Sequence, residues 1–370
     1  MKSLTTTNSR RAAPFGAAAT FASLAIILAG CSGAASPPGD DTSSGDDAAA
    51  VTSCTVGDAP FSTDDAEDSI DYTDLEGELG AVPDPADGTT IGSIMKFLGN
   101  QYWLALSEGQ SAAAELYGVS VDVQAAASES DQVGQLNSAE TMLQNDYAAL
   151  LVSPQTDTNL CPAVEQGEGD DVLVVNVNDA VLPGAKQWVG PNQIQNGISA
   201  AEFVLANADE GAQVAIIEGQ AGVYAAVQRT AGFTETAEAG GLEVVASVPG
   251  DWDIAKARDA AATIIQQYPD IAAIYANNDG MALGVAEAVN SAGLKGKVMV
   301  IGTDGVEDAY NAIRAGDLTA TIDSFPYLTG QVSVNVALRV LGGQDVPRAV
   351  YTPQALITEE NVDDAPPTLD

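Results

Sequence analysis

The chain has 370 residues, with 13 Lys and Arg against 52 Asp and Glu, a formal net charge of −39, and no histidine. That balance excludes a protein that holds nucleic acid through a basic surface. Without imidazole there is no Ser-His-Asp or Cys-His nucleophile and no His-ligated metal centre, although chemistry that needs only two carboxylates stays open.

Residues 1–30 carry Lys2, Arg10 and Arg11 and no acid, with an apolar run from Phe15 to Leu28. A basic start, a short apolar stretch and small residues before a cut predict a secretory signal, and the run is too short for a comfortable membrane span. Leu28-Ala29-Gly30-Cys31 resembles the lipobox of bacterial lipoproteins, which implies that Cys31 is lipidated and anchors the mature protein outside the cytoplasm, at the cell surface or in the periplasm. Removal of residues 1–30 leaves 10 Lys and Arg against 52 acids, a formal charge of −42.

Residues 31–87 read as an acidic tether: from Ser32 to Asp87 there are 15 acids and no cation. Such a segment repels itself and is expected to be largely disordered, with Tyr72 to Leu79 apolar enough to pack on the domain behind it. Once Cys31 carries lipid, Cys54 and Cys161 are left. They either form a disulfide that pins the tether to the first lobe, or are one exposed thiol and one small buried side chain.

From Thr90 onward short β-rich runs alternate with amphipathic stretches. Strands are predicted at Ile91–Phe97, Val119–Ala125, Ala149–Val152, Val172–Val177, Gln213–Glu218, Leu242–Val248, Ala272–Ala276, Val298–Gly302 and Thr319–Asp323. Helices are predicted between them, such as Tyr102–Tyr117, Ala225–Ala239 and Ile254–Gln267. The repeat means an α/β fold with parallel sheets wrapped by helices, and so many strands favour two α/β lobes over one sheet.

In such sheets function sits where strands give way to helices. Those loops read Lys96-Phe97-Leu98-Gly99-Asn100-Gln101-Tyr102-Trp103, Ser153-Pro154-Gln155-Thr156-Asp157 and Asn176-Val177-Asn178-Asp179. In the second half come Gly219 to Arg229, Gly250-Asp251-Trp252-Asp253, Asn277-Asn278-Asp279, Thr303-Asp304-Gly305 and Asp323-Ser324. Planar amides, carboxylates, two cations and two tryptophans suit a polyhydroxylated solute. Asp and Asn take hydroxyls, Arg offers a rigid fork, and indole covers the C–H face of a sugar. No phosphate-cradling glycine motif occurs, so nucleotide binding is not indicated; no cofactor and no metal are expected.

From about Thr90 to Asn361 the chain resembles the periplasmic sugar-binding proteins of the ribose-binding type (type I fold), the solute receptors of ABC importers. The matching residues are Asn277-Asn278-Asp279-Gly280-Met281-Ala282-Leu283-Gly284, Val300-Ile301-Gly302-Thr303-Asp304-Gly305, Asp251-Trp252-Asp253, Arg229-Thr230-Ala231-Gly232-Phe233 and Leu318-Thr319-Ala320-Thr321-Ile322. The resemblance implies two Rossmann-like lobes joined by a three-crossover hinge: residues 88–190 plus 325–353, and residues 191–324 plus 354–362, with 363–370 as a tail. It implies ligand contacts from Asn100, Tyr102, Trp103, Asn178, Asp179, Arg229, Trp252, Asn278, Asp304 and Ser324, to which Lys96 and Ser153 are added from their loops. Asp179 stands where the ribose type has an arginine, and Lys96 where serine is more usual. Lys96 together with Leu160-Cys161-Pro162-Ala163 is also similar to the receptors for autoinducer-2, a furanosyl signal.

The expected activity is capture of a monosaccharide, polyol or furanosyl compound and its delivery to an ABC permease and its ATPase, with no chemistry. The rivals are a receptor that reports to a sensor or chemotaxis protein, a sugar-responsive repressor core, and a carboxylate-dependent glycosidase using Asp179 and Asp304.

Overall fold

Strand and helix alternate along residues 68–364, the part of the chain that the computed structural model describes. The signal, Cys31, Cys54, most of the tether and residues 365–370 lie outside the described residues. In chain order the elements are β1 (Ser69–Asp71), α1 (Leu75–Leu79), β2 (Thr90–Met95), α2 (Gln101–Tyr117), β3 (Ser120–Ala125), α3 (Gln132–Met142), β4 (Ala149–Val152), α4 (Cys161–Gly169), β5 (Leu173–Val177) and β6 (Gln187–Pro191). They continue with α5 (Gln193–Asn207), β7 (Gln213–Glu218), α6 (Tyr224–Ala239), β8 (Glu243–Pro249), α7 (Ile254–Gln267), β9 (Ala273–Ala276) and α8 (Asp279–Ser291). The last are β10 (Met299–Asp304), α9 (Glu307–Ala315), β11 (Ala320–Asp323), α10 (Pro326–Leu341), β12 (Ala349–Thr352) and β13 (Ala355–Thr358).

Two sheets result, ordered β1-β12-β6-β5-β4-β2-β3 and β13-β11-β10-β9-β7-β8. All neighbours run parallel except β13, which lies antiparallel to β11. The chain passes between the sheets after β6, after β11 and after β12, so the fold is a pair of α/β lobes joined by three crossovers. Central strands such as Ala149-Leu150-Leu151-Val152 are buried along their whole length, as expected when helices cover both faces. Helix α7 shows the complementary pattern: Ala257, Ala261, Ile264 and Ile265 form one buried stripe. Asp253 accepts the Lys256 amide and starts that helix. Helices α2 and α10 touch backbone to backbone, since a Cβ at Gly109 would lie 1.9 Å from the Tyr327 carbonyl oxygen.

The boundary of the acidic segment needs correction. Residues 69–82 belong to the folded lobe: β1 pairs in parallel with β12, Ser69 opposite Ala349, and Ile70 and Leu75 are buried. Arg339 Nη1 donates to the Gly80 carbonyl at 2.8 Å, and Gln344 Nε2 donates to those of Leu79 and Ala81. Leu75 lies in the Tyr72–Leu79 stretch expected to pack on the domain; the addition is Ile70, an apolar anchor among acids that suffices where an open sheet edge is available. The short β6, ending in Gly190-Pro191, and the elements α4, α9, α10, β12 and β13 are further additions to the strands and helices expected from the sequence.

Candidate functional site

The strand ends of the two sheets face one another, and the loops that leave them form a cleft. From the N-terminal lobe, β2 is followed directly by Lys96, whose side chain is fully buried. Its Nζ donates to Asp179 Oδ2 at 2.5 Å and lies 5.5 Å from the ring centroids of both Trp103 and Trp252. One ammonium thus stands between an indole from each lobe, where desolvation strengthens the cation–π attraction. Asn100 accepts the Tyr102 amide as the N-cap of α2, and its Nδ2 donates to Glu129 Oε1 at 2.6 Å. Tyr102 meets Trp103 edge to face at 5.0 Å and accepts a hydrogen bond from Asn178 Nδ2.

The C-terminal lobe answers with Arg229 on α6, buried to 1% exposure. Its Nε donates to Gln193 Oε1 at 2.7 Å, and its Nη1 to the Asn277 carbonyl at 2.6 Å and to Asp304 Oδ1 at 3.4 Å. Its Nη2 is buried with no protein partner among the described residues. Asn278 caps α8 by accepting the Met281 amide. Asn277 and Asp279 brace the loops: Asn277 Oδ1 accepts from Gly219 N and Thr230 Oγ1, and Asp279 accepts from Gly305 N, Val306 N and Thr321 Oγ1.

Backbone strain is concentrated here. Asn178, Asp179, Asp251, Trp252 and Asp304 all have positive φ, a conformation that non-glycine residues keep only when their surroundings enforce it. Asp251 and Trp252 are the centre of a tight turn closed by the Asp253 amide on the Gly250 carbonyl at 2.8 Å. Two consecutive positive φ angles define a type I′ turn, which projects the indole over the cleft. Gly219 makes room for it, because a Cβ there would lie 2.1 Å from the ring.

Burial raises the Asp304 carboxyl well above its usual range, against the pull of Arg229. Burial likewise raises Glu129, with Lys96 opposing. For Arg229 burial works downward, but Asp304 and Asp179 outweigh it and the guanidinium is held above its ordinary value. The inner cavity measures about 10 Å³ and is lined by Asn100, Tyr102, Trp103, Glu129, Asp179, Arg229, Trp252, Asn278 and Asp304. It shares Asn100, Glu129, Trp252, Asn278 and Asp304 with an outer cavity of about 700 Å³ at the mouth of the cleft.

Of the residues expected from the sequence, Asn100, Tyr102, Trp103, Asp179, Arg229, Trp252, Asn278 and Asp304 come together around this cavity. Lys96 stands behind Asp179. Three do not line it. Asn178 is turned to Tyr102 and Gln193, and Ser324 accepts from Asn196 at a crossover. Ser153 points its hydroxyl at the Met95 sulfur, 3.8 Å away, inside the N-terminal lobe. Two residues escaped the sequence reading. Glu129 lies in a Ser-Glu-Ser loop after β3 that carries no motif; its place at a strand end was the available signal. Gln193, fully buried, links Asn178 to Arg229 from the first turn of α5.

Comparison with known proteins agrees with this arrangement. The family described as periplasmic binding protein domain matches residues 91–345. The chain is 36% identical over 243 residues to the D-allose-binding periplasmic protein of Escherichia coli, covering 63% of this chain and 78% of that one. It is 32% identical over 272 residues to the ribose import binding protein RbsB of Bacillus subtilis, covering 73% and 88%. Among solved structures, an ABC transporter periplasmic solute-binding protein from Actinobacillus succinogenes with bound D-allose superposes with a TM-score of 0.71 at 27% identity, over 75% of this chain and all of the other. The protein belongs to the periplasmic binding protein family.

Proposed function

We propose that the protein captures one monosaccharide between its lobes and delivers it to the permease and ATPase of an ABC importer. The observation that carries this reading is the pair of indoles from opposite lobes, Trp103 and Trp252, around a dry ring of buried charges. Indole faces cover the C–H faces of a sugar ring, while Asp179, Asp304, Glu129 and Arg229 are spaced to take its hydroxyls. An inner cavity of about 10 Å³ holds roughly one water, so a sugar ring requires the lobes to swing apart and close over it. D-allose is the first candidate, because a curated relative and a solved structure both carry that name, and D-ribose the second, named in the Bacillus subtilis relative. The relatives are binding proteins, which supports capture without catalysis.

The test is a thermal-shift series on the mature chain with D-allose, D-ribose and a panel of other sugars and polyols. A ligand at 100 times its Kd adds about 2.7 kcal/mol, which raises Tm by roughly 4–5 °C for a protein of this size. The shift is expected to vanish in Trp252→Ala. A flat response across the panel sinks the monosaccharide reading.

Export and a lipid anchor on Cys31 complete the proposal, supported by the basic and apolar leader and by Leu28-Ala29-Gly30-Cys31. With Cys31 lipidated, Cys161, buried at the start of α4, is left to pair with Cys54, and the proposal takes the two as a disulfide. Palmitate labelling of cells is expected to mark the protein and to be lost in Cys31→Ser, and non-reducing peptide maps are expected to contain a Cys54–Cys161 pair. Unlabelled protein in the membrane fraction, or a map without that pair, removes the corresponding part.

A further inference from the structure

Between the segment 69–82 and helices α2 and α10 of the N-terminal lobe lies a separate cavity of about 500 Å³. It shares no lining residue with the cavities of the cleft. Tyr72, Leu75, Val82, Tyr117 and Val332 give it apolar and aromatic walls, and Arg339 lines it too. Three cations are buried among the described residues: Lys96, Arg229 and Arg339. The first two have carboxylate partners, Asp179 and Asp304. Arg339, 2% exposed, has no carboxylate within ion-pair distance among the described residues. Its Nε donates to Asn335 Oδ1, and its Nη1 to the Gly80 carbonyl and Gln344 Oε1, each at 2.8 Å. All three acceptors are neutral. Nη2 donates to no protein group among the described residues. Neutral acceptors satisfy the protons of a buried cation without cancelling its charge, so such a group favours an anion beside it. A second donor stands nearby: Tyr117 Oη accepts from Asn335 Nδ2 at 2.7 Å and keeps its own proton to give.

We propose that this cavity binds a small monocarboxylate with an apolar body, its carboxylate held by Arg339 Nη2 and the Tyr117 hydroxyl. The body of the ligand lies against Leu75, Val82 and Val332. A hydrogen bond between a guanidinium and a carboxylate is charge-assisted on both sides, so the acid is preferred over a neutral ligand of the same shape. The cavity falls within the range of small-molecule sites, roughly 300–1,000 Å³. Glu76 lines the same cavity and is exposed, and its charge repels a second negative group, which selects one carboxylate over two. The fastening of Gly80 and Gln344 uses Nη1 alone, so Arg339 can hold the segment and an anion together. The site is independent of sugar binding in the cleft.

The test is saturation-transfer NMR on the full mature chain with benzoate and hexanoate, and with benzamide and hexanamide as their uncharged counterparts. Saturable binding of at least one acid is expected, with its amide at least about tenfold weaker. Arg339→Met should abolish it. Because Arg339 also fastens the Gly80 carbonyl, two exposed positions supply variants that leave that contact in place. Ala81→Trp fills the cavity and should weaken the acid at least about tenfold. Glu76→Gln removes the repelling charge and should tighten it about twofold. Both variants should melt within about 2 °C of wild type, as surface substitutions do. Trp252→Ala, in the cleft, should leave acid binding unchanged. No saturable binding of either acid overturns the proposal, as do amides that bind as well as the acids. Binding that Ala81→Trp leaves intact, or that Trp252→Ala removes, also overturns it by placing the acid elsewhere.

Discussion

Replacing Arg229 with methionine is expected to abolish measurable sugar binding and to lower Tm by roughly 5–10 °C. The side chain is buried, donates to Gln193, to the Asn277 carbonyl and to Asp304, and is the cation nearest a carboxyl that burial already penalises. Removing one member of a buried ion pair leaves the other uncompensated, at a cost of about 3–5 kcal/mol. At roughly 1.5–2 °C per kcal/mol for a protein of this size, that is a fall of roughly 5–10 °C in Tm. The same loss removes Nη2, the donor of Arg229 left without a protein partner and proposed to take a sugar hydroxyl, so binding is expected to weaken by at least about 100-fold. The double variant Arg229→Met, Asp304→Asn separates the two effects. It should recover much of the stability, because the stranded charge is gone, and none of the affinity. Titration calorimetry and thermal melts check both, and Arg229→Met binding sugar within threefold of wild type overturns the assignment.

Thermal stability is expected to rise when the pH is lowered from 8 to 5. Burial, the largest cause in each case, pushes Asp323 up to about 7 and Asp279 and Asp157 up to about 6, although each accepts hydrogen bonds that pull the other way. The unfolded chain titrates these groups near 3.9. Between about pH 4 and 7 the folded protein therefore holds more protons than the unfolded one, and stability falls as pH rises through that window. The contribution is present on the acid side and lost on the alkaline side, the reverse of a carboxylate stabilised by a salt bridge. One pKa unit corresponds to about 1.4 kcal/mol. A gain of about 5 °C or more between pH 8 and pH 5 follows even after heavy discounting. Relief of repulsion in so acidic a chain acts in the same direction. Asp323→Asn isolates the buried group: it removes a carboxyl that accepts from Tyr310 Oη and Phe325 N, and it should flatten the profile. A melting temperature that climbs from pH 5 to pH 8 rules the account out.

The sites that could be read from the sequence were those where local pattern and chemistry coincide. Asn278 follows a buried strand and caps a helix, and Asp304 ends one and opens a turn, so their place at a sheet lip follows from the chain alone. Trp252 is legible for the same reason. Ser153 and Ser324 also stand at strand ends, yet their hydroxyls turn inward, to Met95 and to Asn196. Position along a strand fixes the loop a residue occupies, but neighbouring packing decides which way a short side chain points. Glu129 and Gln193 were missed from the opposite side: neither carries a motif, and each acquires meaning only from the residue it meets, Asn100 for one and Arg229 for the other.

By itself the sequence determined the alternation of buried strand and amphipathic helix, the chemistry of the loops and the acidic character of the whole chain, because periodicity and composition are local properties. The tertiary structure alone decided that β1 pairs with β12, that Lys96 meets Asp179 across 83 residues, and that Arg229 meets Asp304 across 75. Those contacts need the chain to return to the same dry volume. A buried charge is tolerable only once its partner has arrived there, so the ion pairs at the centre of the cleft are products of the closed fold and not of any segment within it.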